Sequence, residues 1–385
     1  MLNIHLAPSP MNQSNRIALI DTLRGIALLG IVAIHSMAHF SCGNYPPSSN
    51  TWLGLADVKT WETTCFLFEF KAFLLFSFLF GLSFFIQLDR AEKRGCDFRA
   101  RFAWRLSLLA VFGLVDTAFF DGDILLIFAI AGFALIPLYK VRTKYLLIIA
   151  AILLSFPLGI YNLIASMIDP TIKLSFSPSI SERDNESFWH MVQWNFTDGM
   201  IRRITLQIWG GRIWATLGLF LIGICAGRIR LFENPEVHAR FFRQLFLGGV
   251  SASVVFYLAS AFDPGMLRGQ FSIYWSIAYT TAFVALVTLC CRTSLSSFLN
   301  AIFAPVGKMS LSCYISQSVF FTFLYAGWGL GMASKMGYFY STLAGIAFFA
   351  LQAALCSIWL RFFKYGPLEW LWRSGTMLRW QAFRK

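Results

Sequence analysis

An all-α, polytopic integral membrane bundle is the fold class this sequence predicts, and three observations carry it. The chain of 385 residues is 57% hydrophobic and only 13% charged, about half the charged fraction of an ordinary soluble domain. With 41 Phe and 13 Trp and a mean hydropathy of +0.62, too little polar surface remains to wrap a water-soluble core, and disorder is excluded for the same reason. The apolar residues also gather into long runs near the ~20 residues that a bilayer-crossing helix needs.

Ten runs separated by polar breaks give the expected crossings in order. Ile17–Phe40 comes first, apolar except for Asp21, Arg24, His35 and His39. Cys65–Leu88 is rich in Phe and carries Glu69 and Lys71 at its start. Ala103–Phe120 ends at the tight FFDGDIL turn, where Gly122 frees the backbone and Asp121 or Asp123 can cap the next helix. Ile124–Tyr139 is short for a crossing; Tyr145–Ile168, Ile204–Gly227, Phe246–Phe262 and Phe271–Cys291 follow. Ala301–Tyr325 is the most polar, holding Lys308, Ser310, Ser312, Tyr314, Ser316, Gln317 and Ser318. It and Ile124–Tyr139 are the candidates for a tilted, broken or re-entrant path. Phe339–Phe363 is the tenth, so one membrane domain spans 17–363, with a cytoplasmic segment before it and a tail over 364–385.

Charge gives the orientation. Of 32 Lys and Arg, 21 fall on one side of this arrangement, seven on the other, and four (Arg24, Lys71, Arg212, Lys308) within crossings. The positive-inside rule places both termini in the cytoplasm, which requires an even number of crossings. The net charge of +13 is scattered over short loops, so it reads as topology and not as a nucleic-acid surface. The first 16 residues lack a continuous apolar core, which predicts no cleavable signal peptide. The eight Cys show no CxxC and no metal spacing, so packing as small apolar residues is their expected role. Two outer segments are long, Ser41–Thr64 and Asp169–Arg203. The tail mixes Trp370, Trp372 and Trp380 with Arg373, Arg379, Arg384 and Lys385, the composition of a helix lying against anionic headgroups.

Ionisable residues at membrane depth are the candidate functional groups, since each costs ~2.5–3.5 kcal/mol even on a lenient insertion scale. On the first helix Arg24, Leu28, Ile31, His35 and His39 follow the steps that keep one face. Asp21 and Arg24, three apart, also read as a mutual ion pair. His35 reads as a general base or as a hydrogen bond between helices. His39 is placed nearer the water boundary. Glu69 or Asp116 could orient the His35 imidazole and raise its basicity. Lys71, Asp123 and Gln317 are further polar groups of the expected substrate region, while Ser and Gln of the ninth run equally suit packing between helices. No Gly-rich phosphate loop, HExxH or GxSxG occurs.

The blocks IDTLRGIALLGI, FKAFLLFSFLFGLSFFIQLDRAEKRG, GDILLIFAIAGF, VGKMSLSCYISQS and GPLEWLWR resemble the bacterial YeiB-like membrane proteins, a family of unknown function, over most of the chain. That family is similar in turn to membrane acyltransferases: the acyltransferase-3 proteins and the heparan-α-glucosaminide N-acetyltransferases. The likeness implies a first-helix Arg and His acting in transfer, here Arg24 and His35. The N-acetyltransferases carry their catalytic His in the following loop; Ser41–Thr64 has none, which leaves His39 to stand in. The expected activity is transfer of an acyl group from cytoplasmic acyl-CoA to a hydroxyl or amine acceptor at the outer face of the bacterial inner membrane. Arg24, Lys308 and Arg105 would hold the CoA phosphates, His35 with Glu69 or Asp116 would act in catalysis, His39, Lys71, Asp123 and Gln317 would face substrate, and no metal is expected. The rival readings are a secondary transporter or flippase for an amphiphile and a non-catalytic membrane scaffold.

Overall fold

The computed structural model describes residues 13–42, 45–46, 51–95, 97–168, 183–233, 235–262, 268–291 and 293–385. The expected N-terminal segment as far as residue 12, Cys96 and residues 169–182 of the second outer segment lie outside them. Among the described residues there are helices and one isolated bridge, Phe363 with Arg384, and no strand. In order the helices are α1 (Gln13–Met37), α2 (Trp52–Phe68), α3 (Lys71–Glu92), α4 (Arg99–Thr117), α5 (Leu125–Leu138), α6 (Thr143–Leu154), α7 (Pro157–Ile168) and α8 (Phe188–Phe196). There follow α9 (Asp198–Ile208), α10 (Arg212–Arg228), α11 (Ala239–Phe262), α12 (Arg268–Cys290), α13 (Leu295–Lys308), α14 (Ser310–Tyr325), α15 (Tyr338–Phe362) and α16 (Pro367–Met377).

The chain is a membrane protein with fewer uninterrupted crossings than its apolar runs suggest. Among the described residues five stretches are long and apolar enough: Ala18–Met37, Trp52–Glu92, Ala239–Phe262, Gly269–Cys290 and Tyr338–Phe362. Two bent pairs among the same residues bring the number to seven if each is one span. One is α13–α14, turned by 76° at Met309, so the most polar run is broken, as its composition suggests. The other is α8–α9 with α10, turned by 58° at the pair Gly210-Gly211, where Gly211 takes φ +76, a conformation glycine adopts without cost. Tyr145–Ile168 divides into α6 and α7 because Pro157 cannot donate within a continuing helix and serves better at a helix start. The expected loop Ser41–Thr64 is largely α2, with Trp52, Leu55 and Val58 exposed.

α1 sits centrally, packed on α3, α13 and α15. Its contact with α13 is backbone on backbone: a Cβ on Gly307 would lie 1.8 Å from the Asp21 carbonyl oxygen, and one on Gly25 would lie 2.1 Å from that of Phe303. No side chain fits there, so the glycines bring Lys308, next to Gly307, beside Asp21 and Arg24. α3 packs on α10, α4 on α5 and α16, and α11 with α12 forms a peripheral hairpin whose exposed Leu247, Val254, Val255 and Phe262 suit a lipid environment. The tail is part of the bundle: Lys364 donates to the Phe383 carbonyl (2.9 Å), and Trp370 stacks on Trp380.

Candidate functional site

The cations chosen from the sequence converge. Arg24, Arg105 and Lys308 line one cleft of about 250 Å³ between α1, α3, α4, the α13–α14 break and α16. Its inner wall is apolar, from Phe76, Phe80, Phe84, Phe102, Leu109 and Phe128. Arg24 is held from two sides, donating to Asp21 (2.8 Å) and to the Ser83 hydroxyl. The ion pair proposed for Asp21 and Arg24 therefore forms, and Arg24 still borders the cleft. The Arg105 guanidinium lies over the Trp372 ring, 3.4 Å from its centroid, while the Trp372 indole N–H donates to the Arg105 carbonyl (2.9 Å).

The acid of this cleft is engaged elsewhere. Glu369 accepts the backbone N–H groups of Leu311 (2.7 Å) and Ser312 (3.0 Å) with one oxygen and the Ser312 hydroxyl (2.6 Å) with the other. A carboxylate at the α14 N-terminus satisfies orphan amides and meets the positive end of the helix dipole. Withdrawal from water holds the Glu369 carboxyl above its ordinary range, against the pull of these hydrogen bonds. Lys308, Arg105 and Arg373 consequently line the cleft with no ion pair among the described residues, a local excess of positive charge that favours an anion.

Two further cavities adjoin. One of about 540 Å³ shares Arg24, Ser83 and Gln87 with the cleft and is bordered by Asp89, Arg90, Lys93 and Arg230. Another of about 450 Å³ shares Gln87, Arg105 and Arg373. Ser83, Gln87, Trp372, Arg373 and Glu369 are site residues that the reading of charges within crossings passes over. GPLEWLWR was the available signal, one Glu among aromatics at the start of a helix.

The other polar groups lie towards the opposite end of α1, and the structure does not assemble them as the sequence suggests. His35 packs against Phe40 and Phe120, with ring centroids 5.4 and 4.7 Å away. Among the described residues no carboxylate is hydrogen-bonded to it, and the charge that reaches it is that of Arg212. Asp116 accepts from Ser318 (3.2 Å) and lies against Asp123. Glu69 is exposed at the α2–α3 break. Lys71 donates to the Cys65 carbonyl (3.2 Å) and sits 3.8 Å from the Trp275 ring centroid, a cation–π site. Asp123 caps α5, accepting from Leu125 (2.9 Å) and Leu126 (3.0 Å). Gln317 donates to Gln352 (2.8 Å), joining α14 to α15.

His39, beyond the end of α1, is fully buried in the protein. Its ring stacks between Tyr45 and Tyr325, 4.4 and 4.6 Å away, and Nε2 meets the Ser341 hydroxyl at 3.0 Å. The cause is local. The helix breaks after Met37, and His39, Phe40 and Ser41 all take positive φ (49, 47 and 64), turning the ring inward at a backbone cost that surrounding packing must hold. The sequence reading places Asp121 in a turn but misses its arginine partners: it pairs with Arg202 (3.1 Å) and Arg183 (3.7 Å) and accepts Arg203 at its carbonyl (2.6 Å).

Residues 226–379 match the family model described as "Protein of unknown function (DUF418)". The chain is 29% identical to the uncharacterized protein YxaH of Bacillus subtilis (strain 168), covering 98% of each. It is 24% identical to an uncharacterized 39.9 kDa protein of Bacillus acidopullulyticus, covering 96% of each. Identity to the uncharacterized protein YeiB of Escherichia coli (strain K12) is 26%, over 93% of this chain and 95% of that one. The likeness to YeiB-like proteins read from the five sequence blocks thus holds over nearly the whole chain.

Proposed function

We propose that the protein is a bacterial inner-membrane acyltransferase that binds acyl-CoA in the basic cleft and passes the acyl group to a hydroxyl or amine acceptor towards the opposite face. The carrying observation is the convergence of Arg24, Arg105 and Lys308 on a cleft with an aromatic inner wall: cations for phosphates, apolar surface for the acyl arm. His35 stands eleven residues beyond Arg24 on the same helix, ~16 Å along its axis. In the transfer the acceptor oxygen or nitrogen attacks the thioester carbon, the C–S bond breaks, and a C–O or C–N bond forms. The acceptor's proton passes to His35 and then to the departing thiolate.

We place the cleft on the cytoplasmic side, since Arg105 and Arg373 in its wall count with the side richer in Lys and Arg, and both ends of the chain with it. This topology counts ten crossings, taking the short α4–α7 helices as partners in spanning. A transporter is the second reading, favoured by the two bent pairs, because broken helices often build transport sites. Calorimetry with CoA on the protein in nanodiscs decides. CoA should bind, and Arg24→Ala should weaken it by ~10-fold, the worth of one hydrogen bond to a charged group. A wild type that shows no binding moves the assignment to transport.

A further inference from the structure

The sequence assigns the C-terminal tail to the membrane surface, yet α16 also walls the cleft and supplies Trp372 and Arg373 to it. Beyond Arg105 and Arg373, which border both spaces, the cleft continues into the cavity of about 450 Å³. The other charged groups lining that cavity are Arg90, Lys93 and Arg94, with Phe98 beside them and no carboxylate among the lining residues; Lys93 also pairs with Asp89 (2.5 Å). The two spaces therefore differ in chemistry, aromatic and apolar within, cationic towards the mouth. At their junction the Arg105 guanidinium carbon lies 3.4 Å over the centre of the Trp372 indole, and the indole N–H donates to the backbone carbonyl of the same arginine.

A phosphate needs only the charge. A guanidinium backed by an indole offers in addition a flat face on which a nucleobase can stack, while its edge reaches phosphate oxygens. We infer that the 450 Å³ cavity binds the nucleotide half of a donor, with Arg105 on Trp372 as the stacking platform for the base and Arg90 and Arg373 as phosphate contacts. This rests on the acyl-CoA reading and deepens it: the site recognises a purine nucleotide as such, and α16 is part of the binding site as well as a surface helix.

The test uses the whole protein in zwitterionic nanodiscs, with adenosine 3′,5′-bisphosphate, inorganic pyrophosphate and CoA as probes. The nucleotide should bind and compete with CoA. Arg105→Lys keeps the charge and removes the plane, so it should weaken the nucleotide by ~10-fold, about one base stack, and pyrophosphate by clearly less. Trp372→Phe keeps a ring under Arg105 and should retain most of the affinity, which guards against misreading a detached α16. If CoA binds but the nucleotide does not compete, or if Arg105→Lys weakens nucleotide and pyrophosphate alike, the inference falls and the acyl-CoA reading stands. If the nucleotide binds and CoA competes no better than the nucleotide alone, the inference stands and the donor reading falls. Displacement of the nucleotide by anionic lipid but not by pyrophosphate would make the cavity a headgroup site and overturn the inference.

Discussion

Glu369→Ala tests how the tail holds the cleft together. The carboxylate receives two first-turn amides of α14 and one hydroxyl, at 2.6–3.0 Å. Loss of a helix cap costs ~0.5–2 kcal/mol, and hydrogen bonds to a charged acceptor are worth ~1.5–3 kcal/mol each. These do not add, because water entering from the open cleft re-solvates the amides. A loss near the top of the capping range, ~2 kcal/mol, is expected, and Glu369→Gln, which keeps an acceptor oxygen, should lose less. The pH dependence has a definite sign. Burial raises the Glu369 pKa above its unfolded value, so the folded protein holds the proton to higher pH. Its contribution to stability is fully present below the ordinary carboxylate range, falls as pH rises through the interval up to the raised pKa, and is constant above it. Thermal unfolding in detergent at a series of pH values, wild type against Glu369→Gln, reads this directly. The wild-type advantage should shrink with rising pH across that interval. An advantage that grows with pH would show that the hydrogen bonds outweigh burial at this carboxyl, and a Glu369→Ala protein as stable as wild type would show that Glu369 is not the cap.

Transfer activity should be most sensitive at His35: a general base contributes ~10²–10⁴-fold, so His35→Ala should remove most turnover, beyond what its loss of packing against Phe40 and Phe120 takes from stability. His35→Asn, able to hydrogen-bond but not to take a proton at neutral pH, should fail equally; wild-type turnover in it would make His35 a positioning group. His39→Ala should act through the fold instead. It empties the space between Tyr45 and Tyr325, a loss comparable to the ~3–5 kcal/mol of a buried aromatic truncation, and a stable His39→Ala protein would contradict that packing. For topology, Cys placed at exposed Glu186 should react with an impermeant thiol reagent from outside and Cys at exposed Arg379 should not; the reverse pattern inverts the proposed orientation and removes the cytoplasmic donor.

Composition and run length made the helical membrane fold legible, because burial in lipid is a property of whole segments and leaves its mark on every residue in them. Breaks were legible only where polarity marked them, as at Met309 between Lys308 and Ser310. At Gly210-Gly211 and Phe156-Pro157 the surrounding residues stay apolar, so hydropathy runs straight through a bend that depends on backbone freedom. The α2 helix escaped notice for the converse reason: Trp52–Thr64 carries enough charge to read as a loop, although nothing after Gly54 forbids a helix there.

The site divides along the same line. Arg24 and Lys308 could be paired from the sequence because a charge inside an apolar run must find a partner or a cavity, and Gly25 and Gly307 allow the backbone approach that joins them. The carboxylate partner for His35 could not be read, since any of several acids at matching depth satisfies the pattern and only packing decides: Ser318 takes Asp116, and Glu69 lies exposed at the α2–α3 break. His39 shows the limit most clearly. Its burial follows from three consecutive residues at positive φ, a conformation that no non-glycine residue announces in its side chain, so a ring read only as nearer the water boundary than His35 is held between two tyrosines. A general-base role for His35 therefore cannot borrow the usual carboxylate orienter. The ring must be positioned by packing, against Phe40 and Phe120 among the described residues, or by the acceptor itself when it binds.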